Sequence, residues 1–183
     1  MRRFLAAWLP AALLAACASV PAPPPLPPAG PVSAWTLGGR IGIQAEAQSL
    51  SGNLRWQHRP DFDALLLTSP LGQGVARIER RPGGVTLEMP GEAPRAAPDA
   101  ETLTHDALGY ALPVAGLVWW VQALPDPARP FEASRDASGR LERLKQDGWT
   151  IDYLQYVEAR PRKLTLHRDG LEIRLVADAW QAE

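Results

Sequence analysis

The sequence predicts a mainly β domain, an antiparallel sheet of roughly ten or eleven strands interrupted by two short helices. Three observations carry this. Apolar and polar residues alternate with period two over most of the chain from Trp35 onward. Turn signals, Pro-Gly-Gly at 82–84 and Arg-Asp-Gly at 168–170, separate such runs. One helix-sized segment in the middle is apolar on nearly every side, and a helix of that kind must be covered all round.

Taken in order, Leu37, Gly39, Ile41 and Ile43 alternate with Gly38, Arg40, Gly42 and Gln44. Leu50, Gly52, Leu54 and Trp56 alternate with Ser51, Asn53, Arg55 and Gln57. Near the C-terminus, Trp149, Ile151 and Tyr153 oppose Thr150 and Asp152, and Leu164 and Leu166 oppose Thr165 and His167. Leu171, Ile173, Leu175 and Ala177 close the series against Glu172, Arg174 and Asp178. One face is apolar and the other wet, as an antiparallel sheet requires. Strand-sized segments at 74–81, 84–89, 93–97, 131–136 and 139–146 fill most of the rest.

Asp99, directly after Pro98, is the expected N-cap of a helix reaching Leu108, with Glu101 in its first turn and Gly109 as its stop. Pro113 suits the first turn of a second helix through Ala123, which Leu124-Pro125 ends. This is the all-apolar segment: Val114, Leu117, Val118, Trp119, Trp120 and Val121 stand against Gln122 alone. The sheet is expected to curl about this helix, or the helix to plug the sheet's open side.

The N-terminus sets the domain organisation. Arg2 and Arg3 precede an apolar run from Phe4 to Ala16 that is too short to span a bilayer, the layout of a cleaved secretory signal over residues 1–16. The run ends Leu14-Ala15-Ala16-Cys17, which looks like a bacterial lipobox and implies a diacylglycerol thioether on Cys17 and a further acyl chain on its freed amine. Cys17 is the single cysteine, so no internal disulfide can form, and acylation removes an exposed thiol. Ala18-Ser19 follow where inner-membrane retention usually requires Asp, which implies release to the outer membrane. Val20 to Pro31 holds seven prolines and reads as a semi-rigid tether within residues 17–34, leaving 35–183 as one domain.

Losing Arg2 and Arg3 takes the formal net charge from −1 to −3, which speaks against nucleic acid as a partner. Enzyme motifs are missing. His58, His105 and His167 lack metal-site spacing, and no serine lies in a G-x-S-x-G elbow. Gly72-Gln73-Gly74 lacks the third glycine and the βαβ context of a nucleotide site. Asp61 and Asp63 read as turn and strand-edge residues, and His167 as part of a solvated strand face. No enzyme, metal or cofactor is expected, apart from the covalent lipid on Cys17.

One segment stands apart. Leu65-Leu66-Leu67-Thr68-Ser69-Pro70-Leu71-Gly72 is a strand running into a turn with Leu71 at its tip. A tip leucine usually tucks back into its own core; left exposed, it is useful only against something apolar. Around it stand Gly39-Arg40-Ile41-Gly42, Ser51-Gly52-Asn53-Leu54-Arg55-Trp56, Leu108-Gly109-Tyr110-Ala111-Leu112-Pro113-Val114, and Leu117 to Pro125 with Trp120. Gln146-Asp147-Gly148-Trp149, Tyr153 to Tyr156, Ile173-Arg174-Leu175 and Trp180 complete the set. In this order and spacing, behind a lipobox, the chain resembles the LolB family of outer-membrane lipoprotein receptors over nearly the whole mature domain.

The resemblance implies a curled, incomplete barrel with helices over its open side and an apolar cavity for acyl chains. It implies that the protein accepts lipoproteins from the periplasmic carrier LolA and inserts them into the outer membrane. It implies periplasmic-face anchoring through Cys17, contact with outer-membrane phospholipid at the loop Pro70, Leu71 and Gly72, and action as a monomer. Leu54, Trp56, Leu65, Leu67, Trp120, Ile151, Tyr153, Leu171 and Ile173 fall on inward positions and become the expected cavity lining. Each would also be inward in a solid core. The alternatives are an envelope lipoprotein holding another apolar ligand, or a solid-core structural lipoprotein of an assembly complex. Where the family often has a helix before the first strand, Pro31-Val32-Ser33-Ala34 leads almost directly to Trp35, which can take its place.

Overall fold

The computed structural model describes residues 30–46 and 49–183. The expected signal peptide, Cys17 and most of the expected tether lie outside the described residues. Eleven strands form one sheet: β1 (Trp35–Gln44), β2 (Ser49–Arg59), β3 (Phe62–Thr68), β4 (Gly74–Arg81), β5 (Gly84–Glu88), β6 (Arg95–Ala97), β7 (Phe131–Arg135), β8 (Leu141–Gln146), β9 (Trp149–Val157), β10 (Arg160–Arg168) and β11 (Leu171–Ala182). Their order is β6-β5-β4-β3-β2-β1-β11-β10-β9-β8-β7, antiparallel throughout. Two meanders therefore meet at the first and last strands, and the sheet stays open between β6 and β7. The antiparallel, mainly β architecture agrees with the sequence reading.

The chain crosses from one open edge to the other through α1 (Ala100–Leu108) and α2 (Val114–Trp120). That crossing lays both helices over the sheet's apolar face. Asp99 caps α1 by accepting a hydrogen bond from the Thr102 backbone N–H, and Gly109 ends it at φ 78°, a left-handed stop that favours glycine. Inside α1, the Thr104 hydroxyl donates to the Ala100 carbonyl and accepts from the Leu112 backbone N–H, joining the helix to the next segment.

Three expectations need correction. Helix α2 stops at Trp120 rather than Ala123, because the backbone tightens: Gln122 and Ala123 bond back three residues, and Ala123 takes φ 58°. Helix α2 is also not covered all round. Ala115 is exposed and Val118 and Trp119 are half-buried, so one flank faces a groove. The strand expected over 139–146 begins only at Leu141, since Asp136 gathers the backbone N–H groups of Ser138 and Arg140 into a turn. Smaller trims leave the others at Gly84–Glu88, Arg95–Ala97 and Phe131–Arg135.

Candidate functional site

Three features define the site: a projecting loop, an apolar interior, and the ties that hold the helices on it. The loop follows β3. Gly72 N–H donates to the Ser69 carbonyl at 2.8 Å, Ser69 N–H to the Gln73 carbonyl at 2.7 Å, and Gln73 N–H to Ser69 Oγ at 3.2 Å. Asn53 of β2 adds a bond to the Ser69 carbonyl at 3.3 Å. Pro70 suits the second position of this turn, and Gly72 takes φ +84°. The backbone is thus fixed while Leu71, at its tip, is 90% exposed. It does not tuck into the core. Gly52, from the Ser-Gly-Asn-Leu-Arg-Trp motif, seats the loop's base: a Cβ there would lie 2.1 Å from the Thr68 carbonyl oxygen.

Eight of the nine expected lining residues, Leu54, Trp56, Leu65, Leu67, Trp120, Ile151, Tyr153 and Ile173, are buried in one apolar cluster, Trp120 from α2 and the other seven from the sheet. Leu171 is instead half-buried, at the rim of a separate pocket beside Glu46 and Tyr110. The eight are 0–6% exposed, so they face the interior of the domain rather than its surface. Pattern alone could not separate the filled state from the hollow one.

The helices are held by few polar ties. Gln146 of β8 is fully used: its Oε1 accepts from Trp120 Nε1 and from the Asp126 backbone N–H, both at 2.9 Å, and its Nε2 donates to the Asp126 and Arg129 carbonyls. Tyr153 donates its hydroxyl to the Trp120 carbonyl at 3.1 Å. Burial holds the Tyr153 phenol well above its ordinary pKa, so it stays a donor. Gly116 makes room for Trp120, whose indole would meet an added Cβ at 2.5 Å. Arg168 of β10 ties α1 through Glu101 at 3.2 Å and covers the Trp149 ring at 4.5 Å. Gln122 accepts from the Val32 backbone N–H at 2.8 Å, fastening the segment before β1 to the end of α2.

Sequence reasoning missed a buried charge. Asp63, read as a strand-edge residue, has no exposure. Its carboxylate faces His58 Nδ1 at 2.7 Å and accepts from Trp56 Nε1 at 2.9 Å and Arg80 Nε at 2.5 Å. Burial alone would raise the Asp63 pKa, but these partners hold it below the ordinary carboxylate value. The signal was present: Asp63 is in phase with Leu65 and Leu67, and His58 with Leu54 and Trp56. The same end holds Trp35, with no exposure, stacked on Trp180 at 4.6 Å and edge-on to Trp56 at 4.9 Å. Trp35 thus packs that end of the interior with Trp56 and Trp180. His167 is exposed on β10, on the solvated face where its alternation with Leu164 and Leu166 places it.

A LolA superfamily protein of known structure from Nitrosomonas europaea matches 84% of this chain and 88% of its own with a TM-score of 0.50, at 12% identity. The family model for the outer membrane lipoprotein LolB matches residues 33–180. An outer-membrane lipoprotein LolB from Thiobacillus denitrificans is 58% identical over the whole of this chain and 99% of its own. One from Pseudomonas savastanoi pv. phaseolicola is 42% identical over 80% of this chain and 74% of its own. The chain belongs to the LolB family of outer-membrane lipoproteins.

Proposed function

We propose that this protein accepts acylated lipoproteins from a soluble periplasmic carrier of the LolA type and inserts them into the inner leaflet of the outer membrane. Acylated Cys17 holds it on the periplasmic face, it acts as a monomer, and it performs no covalent chemistry. The observation that carries this reading is Leu71: a large apolar side chain 90% exposed on a loop whose backbone is fixed by hydrogen bonds. Such a prong has no use in water and a direct use against acyl chains and outer-membrane phospholipid.

The interior supports the same reading. Acyl chains lose about 0.8 kcal/mol for each CH2 left in water, so cargo must pass between apolar environments. The residues under α1 and α2 offer one, once the helices shift. Trp120, Gln146 and Tyr153 hold the end of α2 and are the ties that shift must break. Handover then needs only an affinity difference of a few kcal/mol between carrier and acceptor, with no chemical energy.

The test is transfer from cargo-loaded carrier to a domain lacking residues 1–17, followed by cargo release into liposomes. Cargo should leave the carrier, appear on the domain, and then enter lipid. Cargo that stays on the carrier at every domain concentration would overturn the proposal.

A further inference from the structure

The segment before β1 and the Leu71 loop lie at opposite ends of the sheet. Trp35, first in β1, stands opposite His58, and His58 stands opposite Asp63. From Asp63, β3 runs to Thr68 and the loop continues to Leu71. At about 3.3 Å per residue β3 covers roughly 17 Å from Asp63 to Thr68, and the turn beyond it carries Leu71 to roughly 20 Å or more from the row holding Trp35.

Residues 30–34 stay at the Trp35 end. Arg160, at the start of β10, donates to the Gly30 carbonyl at 3.3 Å, and Glu183 N–H donates to the Ala34 carbonyl at 3.0 Å. Pro31, Val32 and Ser33 share a groove of about 550 Å³ with His58 and with Pro60 of the β2–β3 turn. The chain arriving from Cys17 therefore meets the domain at the end away from Leu71.

We infer that the domain works inverted on its own anchor. The Leu71 end faces the membrane that holds Cys17 and the Trp35 end faces the periplasm, so the sequence between Cys17 and Gly30 has to be long enough to cover the height of the domain. This rests on the membrane role proposed for Leu71. The length fits. Thirteen residue steps separate Cys17 from Gly30, and a chain of that length reaches at most about 45 Å, well beyond the height required.

The experiment uses the acylated full chain in liposomes of phosphatidylethanolamine and phosphatidylglycerol, supplied with cargo-loaded carrier. Deleting Pro21 to Pro28 leaves five steps, about 16 Å, between lipid and Gly30. Delivery into those liposomes should fall at least about tenfold, as expected when a linker cannot span its two sites. Eight Gly/Ser residues in place of the deleted ones should restore it partly. The same deletion in a soluble form lacking residues 1–17 should leave transfer into added liposomes unchanged, since Gly30 and Val32 keep their contacts. Equal delivery by the anchored deletion and its parent would mean the domain lies on its side, and would overturn the inference. Loss in the soluble deletion as well would also overturn it, because reach would not be the cause. Failure of the soluble parent would instead count against the transfer reading itself.

Discussion

The two ends of β3 reverse the usual placement of charge and grease. At one end Asp63, a carboxylate, has no exposure; at the other Leu71, a large aliphatic side chain, is 90% exposed. Each inversion is held by local hydrogen bonds, but to different ends. The bonds to Asp63 come from His58, Trp56 and Arg80 on the two neighbouring strands and lock β2, β3 and β4 together. The bonds around Leu71 run between backbone groups of its own loop, apart from those of Ser69 Oγ and Asn53, and leave the tip side chain without support. A buried charge with every partner in place reads as structure, whereas an exposed prong on a rigid backbone reads as function.

That contrast can be broken from the Asp63 end first. Asp63→Ala removes the acceptor for three side chains and leaves Arg80 without its carboxylate, so urea unfolding should show a loss of about 3–5 kcal/mol. Gly52→Ala forces its Cβ against the Thr68 carbonyl and should cost about 1–3 kcal/mol, read as a lower thermal midpoint. Acid should act through Asp63 as well. Its folded pKa is depressed, so its stabilisation is present above the ordinary carboxylate range and is lost as pH falls through the lower folded value. Denaturation midpoints should hold from pH 7 to about 5 and decline below about pH 4, Asp63 contributing at most about 1.4 kcal/mol per pH unit. An Asp63→Asn variant should show a shallower acid decline. A variant with an undiminished slope would remove Asp63 from the explanation.

The smallest stability effect belongs to Leu71. Leu71→Glu breaks no contact and should change stability by less than about 0.5 kcal/mol. Cargo uptake should persist while release into liposomes drops by about tenfold, the equivalent of roughly 1.4 kcal/mol. Equal release by both proteins would return Leu71 to an ordinary turn residue.

Most of the fold was legible because local rules decided it. Asp99 and Gly109 mark the ends of α1, the period-two runs mark the long strands, and Pro-Gly-Gly and Asp-Gly mark two of the tight turns. The pairing of β1 with β11 has no local mark, since the two segments lie far apart in the chain. The uncovered flank of α2 was equally hidden: Val118 and Trp119 are as apolar as Leu117 and Trp120, so composition could not say which pair faced the groove. For the site, inwardness was legible and vacancy was not. Leu54, Trp56 and Ile173 point inward by phase, but whether they line a space depends on where the helices rest. The exposure of Leu71 was open on sequence grounds, because a turn tip can fold either way.

The pairing of β1 with β11 also bears on how the chain comes to be folded. The middle of the sheet is made by the first strand and the last, so neither meander has its central neighbour until residues near Ala182 are available. Contacts of such long sequence separation form late and slowly. A chain made N-terminus first would therefore lack the pairing at the middle of its sheet until its last strand arrived.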